Sequence, residues 1–172
     1  MDGEHFIDIY GSGHTLGEYE DGTEEQAYDG YLNAGYVVWS EFIAQYYTLV
    51  KTESRAYRFR DASGHIFDLL QDVDISTFDE SKGSFSQACA YWLTCRDASE
   101  TLNHLKNDPV YFVPDDTPYG KEAKAALSDC LEFLSEQIQL EEPWKISEPF
   151  IAALGTKFNA YRFANSMLLG VN

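Results

Sequence analysis

The sequence predicts a helix-dominated α+β fold: a single domain over residues 1–172, with about four amphipathic helices and short antiparallel strands or a hairpin in its first half. Three observations lead there. Apolar residues recur at three-and-four spacing over several long stretches, which is the period of a helix face. Two shorter stretches before residue 70 alternate instead, around glycine-containing turns, which is the period of strands. Hydrophobic residues make up 44% of the chain and aromatics 15%, enough for a packed core and too much for disorder.

The elements follow in order. "HFIDIY", residues 5–10, is rich in strand formers and reads as a short strand. "GSG" then supplies a turn, and "HTLGEYE" is a return strand weakened by its own glycine. "TEEQ", from Thr23, has the capping-box arrangement, with Gln26 placed to reach back to the cap and acids in the first turn. The helix it starts reaches about residue 50 and carries Tyr28, Tyr31, Leu32, Gly35, Val38, Trp39, Phe42, Ile43, Tyr46 and Leu49 on one stripe. Asp29, Asn33, Ser40 and Gln45 fall on the other face.

"SRAYRFRDASGHIFDL" changes period, and its alternation around "DASG" predicts a hairpin, with a helix starting at Ser63 as the competing reading. "DVDISTFDESKG" reads as a polar, irregular segment, and a subdivision of the chain would fall near 76–84. "SFSQ" repeats the capping pattern at Ser84 and opens a helix through Trp92 and Cys95, with periodicity continuing to Leu105. "VYFVP" is a short edge strand, because Pro114 lacks the donor an inner strand needs. Residues 120–140 form a further helix with Ala123, Ala126, Leu127, Cys130, Leu131, Leu134 and Ile138 inward. Pro143 ends it, and Ser147 caps the last helix, where Pro149 is tolerated in the first turn.

Charge is the dominant compositional feature, with 29 acids against 12 bases and a net charge of −17. Ten acids, from Asp2 to Glu41, precede the first base, Lys51. Such a field repels nucleic acid and anionic membranes and steers toward basic partners; the plainer role of acidity is to keep a protein soluble. Eight of the twelve tyrosines also fall within residues 10–57. Tyrosine gives large, stiff, amphipathic contact area, so acids interleaved with tyrosines suit a surface that attracts a basic partner and then packs on it. Some of that set, Tyr28, Tyr31 and Tyr46, lie on the apolar helix stripe and are equally suited to the core.

The chemistry-bearing motifs are incomplete. "SGHTLG", around His14, resembles over six residues the proximal-histidine segment of the plant and ascorbate haem peroxidases, but only thirteen residues precede His14, where that family places its distal Arg and His. A phosphate cradle at "GSG" would meet Glu18, Glu20 and Asp21 and no nearby base. Asp72, Asp74 and Ser76 have calcium-loop spacing, yet Thr77 stands where the loop needs glycine and Gly83 where it needs the bidentate glutamate. The histidines do not pair at zinc-ligand spacing, and Cys89, Cys95 and Cys130 read as small buried hydrophobes in a reducing compartment. No nucleophile elbow is present. "KTESRAYRFR", residues 51–60, is the one basic cluster, and its arginines suit either a phosphate or neighbouring acids.

The expected function is therefore a non-catalytic, acidic protein-binding inhibitor without metal or cofactor, acting in the cytoplasm. It would act as a nucleic-acid mimic, blocking a basic, nucleic-acid-binding surface of a partner such as a nuclease. This is the profile of anti-CRISPR and anti-restriction proteins from phage and mobile elements. The expected partner-binding residues are Glu18, Tyr19, Glu20, Asp21, Glu24, Glu25, Asp29 and Tyr36. An immunity protein or antitoxin against a basic nuclease toxin rests on the same physics. Two other classes remain: a small hydrolase or transferase using His14 with Glu18 or Glu20, and a structural component of a phage particle. No 18-residue apolar run occurs, so a membrane span is not expected, and "MDGEHFIDIYGSGH" lacks the basic start of a secretory signal.

Overall fold

A computed structural model describes residues 24–51, 66, 68–71, 73, 78–98 and 118–170. Four long helices carry it: α1 (Glu24–Lys51), α2 (Phe78–Ala98), α3 (Pro118–Ile138) and α4 (Glu148–Leu169). The α+β expectation is overturned, because no strand or sheet occurs among the described residues. The second arm of the expected hairpin, "HIFDL", is helical at Ile66, Asp68 and Leu69, while its first arm and the Ser63 start of the competing helix lie outside the described residues. The physical reason is tertiary. Ile66, Leu69, Leu70 and Val73 are all buried, and their three-and-four spacing places one helical face on the core. The strands expected at 5–10, in "HTLGEYE" and in "VYFVP" lie outside the described residues.

The polar segment before Ser84 is corrected too. α2 already starts at Phe78, so residues 78–83 are helix rather than loop. Ser81 and Lys82 are buried there despite their polarity. Ser86, one turn later, places its hydroxyl 2.6 Å from the Lys82 carbonyl and 3.0 Å from the Val38 carbonyl of α1. A buried hydroxyl is expensive without such partners, and here it ties two helices together.

α1 is central, packing on both α2 and α4, while α4 also packs on α3. α2 and α3 meet only marginally. Ile66 and Leu70 fill the space between them, lining a small apolar cavity with Ala88, Cys89 and Trp92 of α2 and Leu127 and Leu131 of α3. Asn165 of α4, itself buried, fastens this insert by donating from Nδ2 to the Leu70 carbonyl at 3.0 Å.

The α1–α4 contact is made possible by two glycines. A side chain on Gly35 would collide with the Ile151 carbonyl, and one on Gly155 with the Tyr31 carbonyl. The two backbones therefore touch, a close approach that only residues without Cβ allow. Around this crossing the core is aromatic: Trp39 meets Phe150 edge-on at 5.1 Å and lies 5.7 Å from Phe42, and Phe150 stacks on Phe133 at 4.9 Å. Phe85 of α2 reaches Phe158 and Tyr161 of α4 at 5.1 and 5.2 Å. Such pairs add about 0.5–1.5 kcal/mol each beyond their burial. Lys157 closes the α3–α4 side, bonding to Asp129 at 2.5 Å and lying over the Phe133 ring at 5.1 Å.

Candidate surface at the α1, α3 and α4 ends

α4 begins as its sequence dictates. Ser147 is extended and its hydroxyl accepts from the Phe150 amide at 3.3 Å, with proline in the first turn and Glu148 beside the positive helix end. Glu148 also crosses to α1, accepting a 2.7 Å hydrogen bond from the Tyr28 hydroxyl. That bond, with lesser contributions from burial and from the charges of Glu148 and Asp29, raises the Tyr28 phenol above its ordinary value. The start of α1, the end of α3 and the start of α4 thus share one end of the helical assembly.

The turn between α3 and α4 is built rather than slack. Gln137, buried in the last turn of α3, donates from Nε2 to the Pro143 carbonyl at 2.9 Å and to the Lys145 carbonyl at 3.4 Å. Backbone amides of Gln139 and Leu140 bond back to Glu136 and Gln137, and that of Lys145 to Glu142. Pro143 faces inward, whereas its neighbour Trp144 is held between the two tethered carbonyls and stays 45% exposed. Leu140 is 54% exposed on the same turn. Trp39 and Trp92, by contrast, are fully or almost fully buried.

Acids surround these side chains. Glu136, Glu141, Glu142 and Glu148 are exposed and Asp29 is half-buried. The base of the turn, Lys145, is paired to Glu142 at 2.6 Å. α3 has no basic residue in its last turn, where Glu136 stands instead. A helix C-terminus carries partial negative charge, so this arrangement is locally unfavourable and a cation from outside would relieve it. Tyr28 and Tyr31, expected on the apolar stripe of α1, are exposed, Tyr28 at this end.

The expected partner-binding residues divide. Asp29 lies at this end, beside Tyr28. Tyr36 is half-buried and packs against the core instead. Glu24 and Glu25 lie in the first turn of α1. Glu18, Tyr19, Glu20, Asp21 and His14 lie outside the described residues. Sequence reasoning missed Leu140, Trp144 and Glu136. The signal was present in "QLEEPWK", where a large apolar pair sits in an acidic, proline-containing segment with no periodicity to give it a core role.

Cys89 and Cys130 are free thiols, buried between α2 and α3, and burial pushes both well above the ordinary thiol value, which makes them poor nucleophiles. Among the described residues no group of three His, Cys, Asp or Glu side chains comes together that could hold a metal ion. No helix among them is long and apolar enough to cross a membrane. Compared with known proteins, the chain matches no family model, no curated protein and no solved structure.

Proposed function

We propose that this protein is a non-catalytic, acidic protein-binding inhibitor that occupies a basic, nucleic-acid-binding surface of a partner enzyme in the cytoplasm. The observation that carries this reading is the clustering of carboxylates and exposed aromatic side chains at the end where Tyr28 meets Glu148. Long-range attraction between this end, backed by the −17 charge of the whole chain, and a cationic groove speeds association. Tyr28 and Tyr31 then supply stiff contact area at the surface reached. Anti-CRISPR, anti-restriction and immunity proteins act through this physics, and the partner would be a nuclease or another nucleic-acid-binding effector.

The test is recovery of partners from lysate at low and at high salt, followed by competition with duplex DNA. The expected result is a basic nucleic-acid-binding protein retained at low salt only and released by DNA. Retention of a non-basic protein, or a complex indifferent to DNA, contradicts the reading. A His14→Ala variant with full biological activity is expected, and loss of activity would favour a catalytic role for that residue instead.

A further inference from the structure

The structure assigns the Leu140–Trp144 turn, with Tyr28 tied to Glu148 next to it, as the docking surface for a basic amphipathic segment of the partner protein. The assignment rests on the inhibitor reading and adds to it the chemistry of the partner's contacting segment: lysines or arginines flanking an apolar face.

Trp144 is the centre of this surface. The molecule's other two tryptophans are in the core, and this one is displayed. Its display is imposed by Gln137, which spends both amide N–H groups on the carbonyls either side of it. The backbone on either side of Trp144 is thus held before contact, which lowers the conformational entropy lost on binding. Leu140 lies on the same turn, and Tyr28 is tied to Glu148, four residues beyond Trp144. Of the seven large hydrophobic residues exposed among the described residues, Tyr28, Leu140 and Trp144 share one end.

Charge selects the occupant. Five carboxylates (Asp29, Glu136, Glu141, Glu142 and Glu148) face one ammonium, Lys145, and the uncompensated C-terminus of α3 adds to them. A second copy of the chain would bring the same negative end into contact with itself, and nucleic acid or an anionic membrane would be repelled. A purely cationic, hydrophilic segment would satisfy the acids but leave Trp144 and Leu140 in water. A cationic segment with an apolar face satisfies both.

Two synthetic peptides of equal length and charge test this: an amphipathic lysine–leucine helix and a lysine–serine chain. Titrated into the intact 172-residue chain, the amphipathic peptide is expected to bind about tenfold or more tightly than its serine counterpart and to shift Trp144 emission to shorter wavelength. A Leu140→Ser, Trp144→Ser variant, checked for unchanged helicity and thermal midpoint, is expected to bind the two peptides equally and still lose both at high salt. Equal binding of both peptides by the unaltered chain overturns the docking surface while leaving the acidic-inhibitor reading standing. If neither peptide binds at low salt, both readings are overturned. A Trp144-dependent dimer in native mass spectrometry overturns the docking surface in favour of a second copy.

Discussion

Gly35 of α1 and Gly155 of α4 face each other's helix backbone reciprocally, Gly35 against the Ile151 carbonyl and the Gly155 amide, Gly155 against the Tyr31 carbonyl and the Gly35 amide. This crossing fixes where the two helices start relative to each other, and so brings Tyr28 within hydrogen-bonding reach of Glu148. Neither glycine has a positive φ, so the requirement is space and not backbone conformation.

The same substitution is therefore expected to act in opposite directions at different sites. Gly35→Ala and Gly155→Ala force the touching backbones of α1 and α4 apart and should destabilise the fold by about 1–3 kcal/mol or more. Gly30→Ala in α1 and Gly83→Ala in α2 meet nothing within 4 Å and should stabilise it by up to about 1 kcal/mol, the helix-propensity difference. Chemical denaturation of the four variants checks the sign at each site.

Cys89 and Cys130 are expected to resist alkylation in the native protein near pH 8 and to react promptly in denaturant, with mass spectrometry mapping the label. Their folded values lie above the ordinary 9.0, so both remain neutral in the fold. The unfolded chain ionises first as pH rises, so the stability these thiols contribute is complete below about 9 and declines at higher pH. Denaturant midpoints measured from pH 8 upward should fall, and less steeply in a Cys89→Ala, Cys130→Ala variant.

Trp144 is expected to report its acidic surroundings directly. Caesium ion should quench it more than iodide does, each scaled to its effect on free tryptophan amide, because a negative field concentrates the cation. The difference should collapse near 1 M salt, where screening acts within about 3 Å. A Trp144→Phe variant should lose nearly all quenching by either ion, since Trp39 and Trp92 are shielded. Preferential quenching by iodide would contradict the electrostatics assigned to this end.

Glu136→Lys is expected to stabilise the fold while weakening binding of a cationic partner. It replaces an exposed acid in the last turn of α3 with the charge that a helix C-terminus favours, a gain of about 0.3–1 kcal/mol. Thermal midpoint and affinity for the amphipathic peptide, measured on the same preparation, should move in opposite directions. A binding surface retained at some cost to local stability behaves in this way.

What the sequence made legible follows from how local each signal is. The start of α4 is written in Ser147, Glu148 and Pro149, whose capping chemistry needs no tertiary partner. α1 is legible from its stripe, although Tyr28 and Tyr31 extend that stripe beyond the core it serves. The beginning of α2 was hidden because Asp79, Glu80, Ser81 and Lys82 have the composition of a loop, and burial of Ser81 and Lys82 depends on neighbours distant in sequence. The segment containing Ile66 and Leu70 has too few apolar positions for its period to be decisive in sequence, and the partners that bury it, on α2 and α3, are distant in the chain. At the candidate surface the acids were legible as charge and the tyrosines as composition. Trp144 carried only the weaker signal of an apolar residue without periodicity in "QLEEPWK", and its display also depends on Gln137 reaching two carbonyls across a turn.

In the proposed function a negative, aromatic-bearing surface takes the place of nucleic acid on a basic partner. Its most direct measurement is the affinity of the full chain for the basic protein captured at low salt, followed across rising salt with duplex DNA as competitor. Affinity is expected to fall steeply and steadily as salt rises, with DNA and this protein excluding each other. Affinity that hardly changes with salt, or a stable ternary complex with DNA, would contradict it.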